Sequence, residues 1–431
     1  MSIVLKDPIM DREYRIIKKI NESYETDGVV LQQKRLEELL NFATTNIEAY
    51  KEIEGCNIKE FPVVNKQIIL KDKAKYIASK ESLGESEYYV KTTSGSSGTP
   101  FEFPQDSMCR IKLAASLKYF NHTIGFCEGD LMLHMRSFRQ YYLGVNEKPD
   151  YVHNEDLNII YVDNADMRDE KLERICKLIY EKHVKLVRGY LTSIDAVTEY
   201  AVKNSLPLHH ENEELIILSN GELLAETVRH RVIDKLGCHI VSQYGSEELG
   251  VLGMSEINRP GNKMNLDLAN HYFEILKLDS DAPAEEGEVG RIVVTDLSNY
   301  AMPMIRYDLG DLAVKGKSIN GNVVSIEQLV GRRTDMICRT DGTFFDFFNS
   351  CPRSVHNNED ISQWQFIQKS KDTYVLNIKP NNDSVYSQEN MIVEDLQKIL
   401  GDDAKIIVKY ETEIPVQVSG KRKTIINEYK T

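Results

Sequence analysis

From Asp130 onward the chain alternates between two hydrophobic periods. Short apolar runs at Leu131–His134, Asn158–Val162, Lys185–Val187, Leu215–Leu218 and His239–Tyr244 have the length and character of buried strands. Helical spacings separate them. Leu172, Ile175, Cys176, Ile179 and Tyr180 fall at i, i+3, i+4, i+7 and i+8, which puts them on one helix face. Ile194–Val202 predicts a second helix, and Leu223–Leu236 a third, stopped by Gly237. Strands alternating with helices predict an α/β fold on a largely parallel sheet. Ligands of such sheets bind at the carboxyl ends of the strands. Two loops at that edge, Ser219–Glu222 and Gln243–Glu248, are polar and carry glycine.

The pattern differs on either side. Asp11–Lys51 reads as helix, with Leu36, Leu39, Leu40 and Ala43 on one stripe and no evident chemistry. Past Gly250, Phe273–Leu278 and Glu288–Leu297 read as strands around the acidic turn Asp279–Gly287, which predicts a smaller β-rich subdomain. Strand-like Gln365–Gln368, Tyr374–Lys379 and Lys405–Tyr410, with helical Glu389–Leu400, predict a small α+β unit at the end. A chain of 431 residues exceeds one ordinary core. The expected division is an N-terminal domain over residues 1–331 and a C-terminal domain over 332–431.

Composition narrows the classes. With 41% hydrophobic and 28% charged residues the chain is globular, not a disordered scaffold. A formal charge of −14 disfavours nucleic acid or an anionic membrane as main partner. The start, Met1 to Pro8, has no signal-peptide apolar core, and no stretch is long enough for membrane insertion. Seven scattered cysteines without a CxxC pair predict reduced thiols and a cytoplasmic location.

Candidate chemistry begins at Thr92–Thr99, which contains only Thr, Ser and Gly between β-like Tyr88–Val90 and Phe101–Phe103. Gly95 and Gly98 allow close backbone approach to an anion, and Ser94, Ser96, Ser97 and Thr99 add hydroxyl donors. Composition alone leaves a flexible linker equally open. The loop is no P-loop, because Thr99-Pro100 follows Gly98 where Lys-Ser or Lys-Thr would stand. Positive charge must then come from Mg²⁺ or a distant cation. Glu247 and Glu248 suit a cation or plain surface. Asp308 and Asp311 suit ribose hydroxyls or a turn, and Arg332 and Arg333 suit phosphate or structural ion pairs. His209-His210, followed by Glu211, Glu213 and Glu214, reads as a solvated loop rather than a metal site. No Gly-x-Ser-x-Gly elbow is present, so a hydrolase triad has no support.

The combination is more specific than its parts. Thr93–Pro100, Ser219–Glu222, Gln243–Glu248, Ile305–Asp311, Gly331–Asp335 and Pro415–Lys421 resemble, in order, the core motifs of ATP-dependent adenylate-forming enzymes. Within that superfamily the chain is similar to the phenylacetate–CoA ligase-like branch, including its CapK type. The resemblance implies a large ATP- and acid-binding N-terminal domain and a mobile C-terminal domain carrying Lys421. It implies that Thr93, Ser94, Gly95, Ser96, Ser97, Gly98 and Thr99 fold over the ATP phosphates. Asn220, Gly221 and Glu222 would line the adenine pocket, with Gln243, Gly245 and Ser246 in the same ATP-binding turn and Tyr244 stacked on the base. Glu248 would hold Mg²⁺, Asp311 the ribose hydroxyls, and Arg332 the ribose and phosphate. Lys421 would reach the carboxylate and α-phosphate, with Glu248 as its catalytic partner.

The implied activity is AMP-forming activation of a small carboxylic acid and transfer to CoA. A carrier-protein phosphopantetheine, an amine, or a non-catalytic nucleotide-binding homologue are the alternatives, and a homodimer is among the expected states. The resemblance has departures. Thr334 stands where the hinge Asp usually does, with Asp335 next, and Thr424 replaces a cation that often follows the terminal Gly-Lys. Some relatives carry a Cys/His zinc site after the Tyr-Gly motif, but Val251–Asn270 contains neither residue, so no zinc is expected. By region, Tyr119, Phe138, Tyr141 and Tyr142 are expected to line the acyl pocket.

Overall fold

The computed structural model describes residues 8–84, 86–92, 101–138, 149, 151–165, 167–333, 336–345, 351–356, 358, 360–414 and 423–429. The chain divides into two compact units, Met1–Leu329 and Val330–Thr431.

The first unit opens with helix α1 (Pro8–Glu22), whose Met10, Glu13, Ile17 and Ile20 are buried at a three-to-four spacing. A wide turn at Tyr24–Gly28 separates it from α2 (Val29–Asn46), which buries Leu36, Leu39, Leu40 and Ala43 as their spacing predicts. Strands β1 (Tyr88–Thr92) and β2 (Glu102–Asp106) form an antiparallel hairpin whose last pair is Thr92 with Glu102. The predicted phosphate loop therefore joins two paired strands, although Thr93–Thr99 itself lies outside the described residues. Asp106 then caps helix α3 (Ser107–Thr123) by accepting from the Cys109 N–H at 2.8 Å.

Next come β3 (Met132–Arg136), β4 (Tyr151–Asn154), β5 (Ile159–Asp163), α4 (Asp169–Glu181), β6 (Leu186–Tyr190), α5 (Leu191–Lys203), β7 (Ile216–Asn220), α6 (Glu226–His230) and β8 (His239–Ser246). Five of these strands run parallel in the order β5-β3-β6-β7-β8, with β4 antiparallel on the edge. The order turns back between β3 and β6. Their carboxyl ends therefore flank the crevice where open α/β sheets bind ligands.

Antiparallel strands extend the sheet beyond β8: β9 (Gly250–Met254), β10 (Met264–Leu266), β11 (His271–Leu276), β12 (Val289–Asp296), β13 (Tyr307–Lys315) and β14 (Ser325–Arg332). Among the described residues the sheet has thirteen strands, in the path β11-β12-β13-β14-β10-β9-β8-β7-β6-β3-β5-β4, with Val64–Asn65 paired to β13. The fold is mixed α/β, as the alternating pattern predicts. The third predicted helix is shorter than its sequence pattern. It starts at Glu226, and Arg231–Lys235 widens into a π turn before Gly237. Tyr180 leaves the apolar face of α4 and stacks on His210, ring centroids 3.9 Å apart.

The parallel strands carry two unlike faces. Leu133, Met135, Val187 and Gly189 meet the α5 side, where Gly189 lies against Ile194. The opposite face begins apolar, with Met132, Leu186, Ile216, Leu218 and Val241 in the large core. Toward the carboxyl ends it turns polar.

The second unit has the sheet order β17-β16-β15-β18, from β15 (Ile361–Gln368), β16 (Thr373–Pro380), β17 (Lys405–Tyr410) and β18 (Ile425–Asn427). Helix α7 (Glu389–Leu400) contributes Ile392, Leu396 and Leu400 to a core with Phe366, Tyr374, Leu376 and Ile378. The buried Tyr374 hydroxyl donates to the Cys338 carbonyl at 2.6 Å, which gives its one polar atom a partner.

Candidate active site

Register places the polar residues. Tyr190 lies beside Asn220, and Asn220 beside Gln243, at the carboxyl ends of β6, β7 and β8. Two residues back on β6, Arg188 shares the face of Tyr190 and pairs with His134 of β3, which in turn pairs with Tyr161 of β5. One face of the switch point thus holds Tyr161, His134, Arg136, Arg188, Tyr190, Asn220 and Gln243. Arg188 reaches across β7 and donates from Nη2 to Gln243 Oε1 at 2.5 Å. That bond fixes Nε2 as the remaining end of the Gln243 amide. Gln243 is 5% exposed, and its Nε2, Arg188 Nε and Asn220 Oδ1 are sealed without a hydrogen-bond partner. Leaving such groups unmet costs about 1–3 kcal/mol each. Three together at one strand edge mark a place built for a ligand.

Electrostatics support this. Burial pushes the Arg188 guanidinium down to about 10, with Arg136 adding to the shift and Tyr190 and Glu247 opposing it, so Arg188 stays charged near neutral pH. Burial and the two guanidinium groups hold His134 well below the usual imidazole range, hence neutral. Burial, then Glu247 and Glu222, raises the Tyr190 phenol, so it offers no counter-charge.

A second cluster forms where β8 meets β13. Tyr244, 7% exposed, donates its hydroxyl to Asp311 Oδ2 at 2.8 Å. The neighbouring Tyr307 hydroxyl is kept protonated by burial and by the carboxylates of Glu248, Asp308 and Asp311. The fold therefore gathers Tyr244, Glu248 and Asp311, which the sequence separates. Gly245 must be glycine, because an added Cβ would lie 2.4 Å from the Gly250 carbonyl. Ser246 accepts from the Leu249 N–H at 3.1 Å and shapes the turn that carries exposed Glu247 and half-buried Glu248.

Other predicted residues have structural partners. The Glu222 carboxylate accepts from the Thr192 N–H at 2.9 Å and from its hydroxyl at 3.0 Å, at the start of α5. Gly221 makes the preceding turn with φ +74°. Asp308 pairs with Arg291 at 2.7 Å and accepts from the Gly310 N–H, so it belongs to a turn and an ion pair. Tyr119 is buried in the core on α3, and the Phe138 N–H donates to Asp163 Oδ1 at 3.0 Å. Arg332 ends β14 in an exposed position. Thr93–Thr99, Tyr141, Tyr142, Thr334, Asp335 and Lys421 lie outside the described residues.

Sequence reading missed Arg188, His134, Arg136, Tyr161 and Tyr190. The signal was faint but present. Arg188 interrupts an otherwise apolar strand at its carboxyl end, where a polar residue has no packing reason to be. The loop around His210 is also more organised than its charge run suggests. His183, from the turn after α4, stacks on His210 at 4.6 Å and bonds Glu213 at 2.7 Å.

Comparison with known proteins agrees with this architecture. Residues 348–428 match the family model of the CapK C-terminal domain. Over 124 residues the chain is 31% identical to phenylacetate-coenzyme A ligase of Thermus thermophilus, a match covering 27% of each protein. Solved 2-hydroxyisobutyryl-CoA ligase, in its postadenylation state with 2-HIB-AMP, superposes with a TM-score of 0.70. That alignment covers 94% of this chain and 90% of that enzyme at 16% identity. An anthranilate CoA ligase in complex with anthranoyl-AMP gives 0.55, over 77% of this chain and 65% of that one, at 12% identity. The fold is that of the adenylate-forming ligases. Within them, the likeness is to the phenylacetate–CoA ligase-like, CapK-type branch.

Proposed function

We propose that this chain is an ATP-dependent, AMP-forming enzyme. It would activate a carboxylic acid as its acyl-adenylate and pass the acyl group to a thiol, with CoA the expected acceptor. The observation that carries this reading is the assembly of Asn220, Gln243, Tyr244, Glu248 and Asp311 at one sheet edge, with the unmet acceptor Asn220 Oδ1 among them. Adenine fits the donor set: the sealed Asn220 Oδ1 is an acceptor, and the exocyclic amino group of the base is a donor. Asp311, which accepts from the Tyr244 hydroxyl, would accept from the ribose hydroxyls as well. Glu248 would hold Mg²⁺, which when bound supplies positive charge to the phosphates.

The division of labour follows from the chemistry. A carboxylate resists attack because its leaving group would be oxide. Its oxygen attacks the α-phosphorus of ATP, the bond to the bridging oxygen breaks, and pyrophosphate leaves. The thiol, losing its proton, then attacks the acyl carbon and AMP departs. Two anions must first be held together, and this chain would do so by positioning and fixed charge. The Thr93–Thr99 loop carries no lysine after Gly98, so it can cradle the phosphates while Lys421 supplies the cation. A turn of the C-terminal domain near Gly331–Asp335 would then exchange the first cleft for the second.

The test is ATP–pyrophosphate exchange measured across a panel of carboxylic acids. Exchange with at least one acid is expected, and Lys421→Ala should lower it by roughly two orders of magnitude or more while ATP still binds. Absence of exchange with every acid, together with absence of ATP binding, overturns the reading. Near-normal adenylation by Lys421→Ala removes Lys421 from the role.

A further inference from the structure

We propose that the acid this chain activates carries a second, anionic group, a carboxylate or equivalent oxyanion, seated on Arg188 and Gln243 at the switch point between β3 and β6. The inference rests on the adenylation reading and specifies its substrate class. An acid with an otherwise apolar body would leave this corner unmet.

Four observations converge. First, Arg188 Nε and Gln243 Nε2 are both donors, both sealed and both without a partner, while the bond from Arg188 Nη2 to Gln243 Oε1 holds the two side chains together. An oxyanion with two lone-pair-bearing oxygens can accept from both at once. A hydroxyl or keto group on a neutral substrate brings no charge to a guanidinium drawn partly out of water. Second, no carboxylate among the described residues forms an ion pair with Arg188, whereas elsewhere in the same unit Arg306 pairs with Glu274 and Arg291 with Asp281 and Asp308. Third, the corner gathers two guanidinium groups, with Asp163 in register beside Arg136 and not beside Arg188. Arg136 lies on the same face, with its guanidinium 5.6 Å above the Tyr161 ring. The carboxylate that acts on Arg188, that of Glu247, sits exposed beyond the end of β8. Fourth, the place is right: the carboxyl ends of β3 and β6 are where the strand order turns back, next to Asn220 and Gln243 of the nucleotide edge.

The experiment compares matched acids with the full-length chain and ATP. Straight-chain dicarboxylates of four to six carbons and benzene dicarboxylates are each set against their own monomethyl esters and against the corresponding monoacids. The readout is pyrophosphate exchange, as kcat/KM. The best diacid should exceed its monomethyl ester roughly 10- to 100-fold, the weight of one charge-assisted hydrogen-bonded pair. Arg188→Met should bring the ratio of kcat/KM for the diacid over its own monoester close to one, and Arg188→Lys should restore part of the preference. Should the Arg188 variants fail to fold, thermal shift of the unaltered protein replaces them, with the diacid raising Tm more than its monoester at equal concentration. A monoacid or monoester preferred over every diacid, with Arg188→Met leaving that order of substrates unchanged, overturns this inference and leaves the adenylation reading standing. Absence of exchange with every acid overturns the adenylation reading, and this one with it.

Discussion

Arg306 and Arg188 are both drawn out of water in the first unit, and their surroundings could hardly differ more. Arg306, 7% exposed, gives Nε and Nη2 to the two oxygens of Glu274 at 2.9 and 3.0 Å, and Nη1 to the Phe61 carbonyl at 3.0 Å. Its backbone, at φ +48°, is held by the Thr295 hydroxyl. Every part of that guanidinium is answered by protein. Arg188 has one amide for company and a sealed, unmet Nε. The first arrangement closes a β-rich region around itself. The second persists because the rest of the sheet over-determines it, and it leaves a donor that we assign to a ligand. The same contrast runs through the Ile305–Asp311 motif. Its Arg306 and Asp308 are in ion pairs, and its last residue, Asp311, accepts from the Tyr244 hydroxyl of β8.

The largest effect that would break this comparison is on stability. Glu274→Ala leaves the Arg306 charge buried and unpaired, and urea unfolding should register a loss of about 3–5 kcal/mol. A loss below about 1 kcal/mol would show that Arg306 is no more anchored than Arg188.

Asp311→Asn should weaken ATP binding roughly tenfold, about 1.4 kcal/mol, with the fold intact. Isothermal titration with ATP would read it, and an unchanged affinity would detach Asp311 from the ribose.

The cationic corner also predicts a pH dependence. His134 is held below its unfolded value, near 6.5, so the unfolded chain takes up its proton first as pH falls. This contribution is fully present above pH 6.5. Below it, stability should drop by up to about 1.4 kcal/mol per pH unit until the folded imidazole titrates. His134→Asn should flatten that slope relative to the parent between pH 6.5 and 5.5, and parallel slopes would exclude His134 as the cause.

The smallest expected change sharpens the contrast most. Arg188→Met removes a partly desolvated charge that has no ion-pair partner among the described residues, so stability should move by less than about 1 kcal/mol or rise. A loss on the scale of Glu274→Ala would make Arg188 a structural residue like Arg306.

Much of this was legible in the chain. Alternating periods located all five parallel strands to within a few residues, because a buried strand must be apolar and a covering helix must repeat every three to four residues. Polar, glycine-containing loops marked the strand ends where Asn220 and Gln243 lie side by side, because loop composition is a local property. The order of six motifs named the likeness that the fold then displayed. What remained hidden was partnership. The bonds that the Glu222 carboxylate accepts from Thr192 at the start of α5 have no signature in the local sequence. Asp308 and Asp311 looked alike three residues apart, and the fold assigned one to Arg291 and the other to Tyr244.

The sequence by itself determined the elements and the candidate chemistry, since side-chain period and turn composition act over neighbouring residues. Only the tertiary structure decided which polar atoms are answered and which are left open. Arg188, Asn220 and Gln243 stand far apart along the chain and meet through strand register alone. Register is set by burying one whole face of the sheet, which no short stretch of sequence does on its own.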